Sequence, residues 1–296
     1  MANFQIFSDG ACDINRELAK KNNIKVIPFY VSLNHTDYFK EIDEISLDEF
    51  YKEMINNNVF PKTSLPSVQD YINAFTDDLE QGKDILCFTI TDSLSGSYQS
   101  ATTAKMMLEE NYPNSKIIII NSWQATGSQL LMVLEAARMQ QNGIEIEKIA
   151  EICEKMKEDG RIVFVVGGLE NLRRGGRIGA LAALSGSILN IKPIIILKGG
   201  KISSAGMGRG MKKAIKKLPE ITKDDFITNN NNYKDYIFTI GTTNLFDELD
   251  KFKEMVIEVL PDAYFLNHFE IGATIAAHTG KDTLGLCYIK KYECYL

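Results

Sequence analysis

Short β-rich runs alternate with longer stretches of helical spacing through the first half of the chain: residues 4–7 then 14–22, 84–91 then 97–110, and 116–121 then 126–141. This alternation predicts a parallel sheet covered by helices. The apolar runs 117–120 and 194–197 have strand length and β-branched composition, so they read as buried strands. Asp13 before Ile14 and Ser67 before Val68 set side-chain oxygens where the first helical amides lack acceptors, which predicts two helix starts. Residues 25–45 differ in texture, with Pro28, aromatics and polar turns, and predict a small β excursion before a helix over 47–57.

After a helix at 146–158, Gly160 interrupts the pattern and 162–166 opens a new strand. The expected division is an N-terminal α/β domain over 1–160 and a C-terminal α+β domain over 161–296. The second half runs through a glycine-rich, basic segment at 167–179, a helix reaching Asn190, strands at 192–197 and 201–205, and a helix at 211–218. A strand at 236–240, a helix at 246–259 and strands near 263–266 and 284–290 complete it. Strands adjacent in sequence without a helix between them predict a mixed sheet. The asparagine run 229–232 reads as a solvated loop, and no repeat of solenoid or propeller length is visible.

Composition fits a folded globular chain: 296 residues, 45% hydrophobic and 24% charged. With 33 Lys and Arg against 39 Asp and Glu, the net charge of -6 gives nucleic-acid binding no global support, so any phosphate site must be local. The five cysteines form an odd set without a C-x-x-C pair, and the N-terminus lacks the basic and apolar regions of a signal peptide. No apolar run approaches a membrane span, and a reducing cytoplasm is the expected location.

Hydroxyl groups gather in Thr63-Ser64-Leu65-Pro66-Ser67 and in Ser93-Leu94-Ser95-Gly96-Ser97. The second segment follows a strand and precedes a helix, where open α/β sheets bind ligands. Free helix amides and hydroxyls there suit an anion. Ser67 and Ser97 read as helix caps, whereas Thr63 and Ser95 stay open between capping and ligand contact. The nucleophile elbow G-x-S-x-G is absent around Ser95 and Ser185. A hydrolase would need His278 or His268 beside such a serine, with an acid to orient it. Asp9 and Asp13 read as capping and turn residues. The segment Gly206-Met207-Gly208-Arg209-Gly210 fails the dinucleotide fingerprint, and 167–179 lacks the G-K-[ST] ending of a phosphate loop. Arg173, Arg174 and Arg177 concentrate charge there as a surface or an anion contact. No second His or Cys stands at zinc spacing from His278, which defaults to a satisfied core histidine. Its sharper alternative is a carboxylate contact at the domain junction.

Several of these pieces occur together in a specific order: Phe7-Ser8-Asp9-Gly10 through Asp13, Thr63-Ser64-Leu65-Pro66-Ser67, and Leu94-Ser95-Gly96-Ser97-Tyr98-Gln99-Ser100-Ala101. They continue with Leu172-Arg173-Arg174-Gly175-Gly176-Arg177-Ile178, Leu189-Asn190-Ile191-Lys192-Pro193-Ile194, the Arg209 loop and Ala277-His278-Thr279-Gly280. Across nearly the whole chain this resembles the DegV family of bacterial fatty-acid-binding proteins, the carrier subunits of fatty acid kinase systems. The resemblance implies two domains with a long-chain fatty acid in a tunnel at or near their interface, and no cofactor. It assigns carboxylate binding to Thr63, Ser95 and His278, and places Arg177 and Arg209 on the surface near the ligand head where the kinase engages. The kinase subunit would phosphorylate the bound acid to an acyl phosphate, so the protein would present a substrate without catalysis. Transient contact with a membrane surface and no nucleic acid complete the implied partners.

The sequence departs from the family pattern at Gly10 for serine, Ser97 for threonine and Asn121-Ser122 for Asp-Ser, and most at Gly280-Lys281-Asp282, where Gly-Pro-Gly is usual. Enclosing about fifteen methylenes at roughly 0.8 kcal/mol each yields on the order of 12 kcal/mol before ordering costs, enough for tight retention. Two rival readings are a serine hydrolase or acyl-transfer enzyme using Ser95 and His278, and a lipid-responsive regulatory interaction protein.

Overall fold

Four parallel strands form the first sheet, in the spatial order Ile24–Ile27, Phe4–Asp9, Asp84–Thr89 and Ile117–Asn121. The computed structural model describes residues 3–184 and 190–296. Side chains alternate across the sheet with the period of a strand, so Phe7, Ile85 and Cys87 meet helices Val68–Glu80 and Ser97–Glu109. Ile6, Leu86 and Phe88 face the opposite way, onto helices Thr126–Gln141 and Ile146–Met156. Helix Thr126–Gln141 is buried on nearly every side because it lies between this sheet and the next, where the Ser128 hydroxyl donates to the Tyr288 carbonyl at 3.3 Å.

The second sheet is mixed, as adjacent strands without a crossover require. Its order is Lys201–Arg209, Ile191–Lys198, Arg161–Val165, Leu284–Lys290, Tyr236–Thr242 and Tyr264–Phe265, with Phe269–Glu270 also pairing Tyr236–Thr242. All pairings are antiparallel except those of the two short strands. Helices Leu218–Thr228 and Leu249–Val259 bury Phe226, Phe252 and Val256 against the outer face. The inner face presents Ile162, Phe164, Ile195 and Leu197 to Ala11, Phe29, Ile90 and Ala125. Those four residues follow the carboxyl ends of the four parallel strands, the place where open α/β sheets receive ligands. A small antiparallel sheet of Phe39–Lys40, Tyr30–Ser32 and Lys62–Ser64 stands beside that edge.

Several local expectations change. Helix Arg16–Lys21 is capped by Asn15, whose side chain accepts from the Leu18 amide at 2.8 Å, and not by Asp13. Ser67 caps Val68–Glu80 in a box with Asp70, as the sequence predicts. Ser97 is no cap, because Gly96 occupies the cap position and the Ser97 hydroxyl points into the core. The strand expected to stop at 205 continues through a bulge to Arg209, so the glycine-rich segment is an edge strand instead of a loop. The basic segment contains the short helix Glu170–Arg174. The helix expected to reach Asn190 begins as a 3-10 turn over Gly179–Leu184, and its remainder, with Ser185 and Leu189, lies outside the described residues. Among the described residues no helix is long and apolar enough to cross a membrane.

Candidate functional site

A cavity of about 240 Å³ lies between the inner face of the second sheet and the carboxyl edge of the first. Phe29, Ile90, Phe164, Leu197 and Ile275 are among its apolar walls, and Thr63, Ser95, Arg177 and His278 all reach it. Arg209 does not line it; this residue is exposed at the end of its edge strand, paired with Ile191.

Two elements distant in sequence create the polar end. Thr63 sits in the small sheet opposite Val31, and Pro66 keeps the chain after it extended. Its hydroxyl lies 2.8 Å from Nε2 of His278, 215 residues away in sequence. His278 rides on helix Ala273–Thr279, which is held at both ends. At the start, Glu41 accepts from the Thr274 amide at 3.0 Å; at the finish, the Asn171 side chain donates to the Ala277 carbonyl at 3.0 Å. Gly280 then turns the chain at φ 75°, where a Cβ would come within 2.7 Å of Asn171 Oδ1. Gly175 packs closely against the imidazole: a Cβ there would overlap Nδ1 and sit 2.8 Å from Cε1. Burial first, and then the neighbouring Arg177 guanidinium, push His278 down to about 4, so its ring is neutral at neutral pH.

Ser95 is fixed from the other side. Its hydroxyl accepts from the Ser97 amide at 3.2 Å, while the Ser97 hydroxyl donates to Asp9 Oδ2 at 2.7 Å and meets the Tyr71 hydroxyl at 2.6 Å. Arg177 Nε donates to the Leu94 carbonyl at 2.9 Å and its Nη1 to the Gly175 carbonyl at 2.6 Å. One guanidinium thereby ties the Ser95 turn to the Gly175 turn while facing the cavity. Arg177, expected on the surface near the ligand head, is half-buried and lines the cavity together with Thr63, Ser95 and His278.

Behind this wall lie three carboxylates. Asp9 is fully buried and accepts from the Ile90 amide at 2.9 Å, from Ser97, and from Gln129 Nε2 at 2.9 Å. Desolvation outweighs these bonds and pushes it up to about 6. Glu41 and the partly buried Asp13, which takes the Thr126 hydroxyl at 2.5 Å, are raised for the same first reason. Asp9 occupies the N-cap position of the 3-10 turn Gly10–Cys12, and its side chain also crosslinks strand ends, a part for which neither Asp9 nor Glu41 carries a sequence signal. Among the described residues no cluster of three His, Cys, Asp or Glu side chains could hold a metal ion.

A hydrolytic triad needs a serine bonded to its base and an acid orienting that base. Here Thr63 faces Nε2 of His278, Gly175 faces Nδ1, and Ser95 is engaged by a backbone amide. The pieces instead form neutral hydroxyls, a neutral imidazole and one cation on the wall of a largely apolar chamber, a set that can receive an anion with an oily tail.

Known proteins resemble this chain in sequence and in fold. A family model described as an uncharacterised protein of the DegV family matches residues 3–291. A DegV domain-containing protein of Clostridium perfringens is 31% identical over 287 residues, covering 97% of this chain and 99% of the relative. Among solved structures, a stearic acid-binding protein from Eubacterium ventriosum is 36% identical with a TM-score of 0.93, covering 98% of this chain and 99% of that one. A DegV family protein from Thermus thermophilus described by its fatty acid binding is 29% identical with a TM-score of 0.85, covering 97% and 99%. With nearly its full length matched in sequence and in fold, the chain belongs to the DegV family.

Proposed function

We propose that this protein carries a long-chain fatty acid in the cavity, with the carboxylate bound by Thr63, Ser95 and His278, and presents it to a kinase subunit for conversion to acyl phosphate. The observation that carries this reading is the convergence of those three side chains and Arg177 on one largely apolar chamber. The acyl chain supplies affinity through buried methylenes, and the polar end fixes which way round the ligand lies. Arg177 adds charge beside the head group, and Arg209, on the exposed edge strand, offers a cation to the kinase. The chain divides near residue 160, and exchange of the ligand takes place at a membrane surface or on the kinase. All five cysteines are free, which suits a reducing cytoplasm.

Native mass spectrometry before and after organic extraction tests the carrier directly: a long-chain acid leaves with the solvent, and a ligand-free protein would overturn the reading. Thr63→Ala and Ser95→Ala each remove one polar contact, worth about 1 kcal/mol, so exchange of labelled fatty acid should quicken about fivefold in each with the fold intact. Unchanged exchange in both would remove these residues from the site.

The imidazole gives a second expectation. An incoming carboxylate favours the protonated ring, so binding raises the His278 pKa from about 4 and is accompanied by proton uptake as the pH is lowered toward that value. Calorimetry in buffers of different ionisation enthalpy should show that uptake, and His278→Gln should abolish it.

A further inference from the structure

Outside the cavity lies a larger pocket of about 510 Å³, whose lining includes Leu130, Leu134 and Leu266 beside Asn15, Lys21 and His268. Among the described residues Phe269 is the one that lines both spaces. The rest of the wall includes a hydrogen bond between Thr126, on the inner side, and Asp13, on the outer.

The ring of Phe269 is wedged between two glycines. Its strand pairs Phe269 with Gly241, where a Cβ would overlap the ring and lie 2.9 Å from Cε1 and Cε2. On the far side a Cβ at Gly127 would come within 2.5 Å of Cε1 and 2.8 Å of the Cys287 sulfur. Glycine within the first turn of a helix costs stability relative to alanine, so its presence at 127 has a packing reason: it admits the ring. Side chains of three separate core clusters then hold Phe269 from different directions.

This wall stands away from the head-group end. Thr283, just before strand Leu284–Lys290, donates to the carbonyls of Thr279 and Gly280, next to His278, whereas Cys287, which faces Gly127 beside the ring, lies four residues further along, about 13 Å at strand spacing. Gly241 and Gly285, paired across the sheet, both line the cavity, and the lack of a Cβ at each admits the Phe269 ring at one and Phe164 at the other.

We infer that Phe269 is the stop that sets the longest acyl chain this protein accepts, by closing the cavity against the outer pocket. The inference rests on the fatty-acid reading above. Removing the ring joins the two spaces, and the leucines beyond offer a hydrocarbon tail an apolar path. Each further methylene taken out of water strengthens binding roughly fourfold, so a few suffice to change the selected length.

The test is to load purified protein from an equimolar mixture of saturated C14 to C22 acids and to measure the extracted chains. In Phe269→Ala the ratio of C20 to C16 should rise about tenfold over wild type, and Phe269→Leu, which keeps an apolar branched side chain, should move the same way by less. Adding Leu134→Trp to Phe269→Ala fills the outer pocket and should return the ratio toward wild type. Variants that hold as much fatty acid as wild type with an unchanged length profile would overturn the stop, as would long chains that persist after Leu134→Trp. If Phe269→Ala fails to fold, the leucine variant decides by the same measure. Wild-type protein that retains no acid of any length would instead overturn the carrier reading, and the stop with it.

Discussion

Gly175→Ala is expected to accelerate fatty-acid release about tenfold to a hundredfold while the protein still folds. The added methyl overlaps Nδ1 of His278 and comes 2.8 Å from Cε1, so the ring must rotate or withdraw. Either motion breaks its 2.8 Å contact with Thr63 and removes the imidazole from the carboxylate. A hydrogen bond to a charged group contributes about 1.5–3 kcal/mol, which sets the scale of the loss. The fold should be retained, because Gly175 is partly exposed and its φ of -74° suits alanine, with crowding of the ring costing about 1–3 kcal/mol. Stopped-flow displacement with labelled acid measures release, and a thermal melt controls for folding. The effect should exceed that of Ser95→Ala although Gly175 has no polar side chain of its own. Release at the wild-type rate would show that the imidazole is not what holds the ligand, and the carboxylate assignment would have to be redrawn.

The architecture was legible where sequence periodicity is strong. Alternating strands and helices over 4–141 predicted the parallel sheet, because the inner strands Phe4–Asp9 and Asp84–Thr89 bury both faces and helix Val68–Glu80 carries an apolar stripe. Helix Ala273–Thr279 escaped notice because seven residues, most of them small and buried, leave no amphipathic pattern. The glycines at 206, 208 and 210 read as a loop, yet Gly208 is glycine because a Cβ there would collide with the backbone of Ala214. Thr63 and His278 could not be connected from spacing, since 215 residues separate them, and only the family likeness set them in one site. Nothing local marks Gly175 or Glu41 as supports of the histidine, because their contacts are made by other segments of the chain.

The Gly280-Lys281-Asp282 turn shows how a departure can leave the site's geometry intact. Gly280 supplies the positive φ, and Asp282, itself at φ 60°, accepts from Asn244 Nδ2 at 3.1 Å. The Asn244 side chain in turn takes the Asp282 amide at 2.6 Å. Side-chain bonds thus fix the turn where the family pattern uses a proline, and the last turn of the His278 helix keeps its clamp from Asn171.

Asp9→Ala should cost about 3 kcal/mol or more at neutral pH, the largest stability effect expected of a single side chain around the site. Its carboxylate collects the Ile90 amide, the Ser97 hydroxyl and the Gln129 side chain in a place with no water access. Alanine leaves buried donors without acceptors, each worth about 1–3 kcal/mol. The pH dependence makes the prediction specific. Asp9 titrates near 6 in the folded protein and near 3.8 when unfolded, so the native state binds its proton more readily. That contribution to stability is complete below pH 4, declines as the pH rises toward 6 and is gone above it, a change of about 3 kcal/mol. Urea denaturation of wild type and Asp9→Ala should therefore show a gap that widens as the pH falls from 7 to 4.5. A gap that narrows would mean that the carboxylate is stabilised as an anion and that its bonds outweigh its burial. Because Ser97 loses its anchor in the same variant, and its amide holds the Ser95 hydroxyl, fatty-acid exchange should quicken as well. Loosening of the Ser95 turn by a residue outside the cavity lining would link the buried carboxylate to ligand retention through a two-bond path.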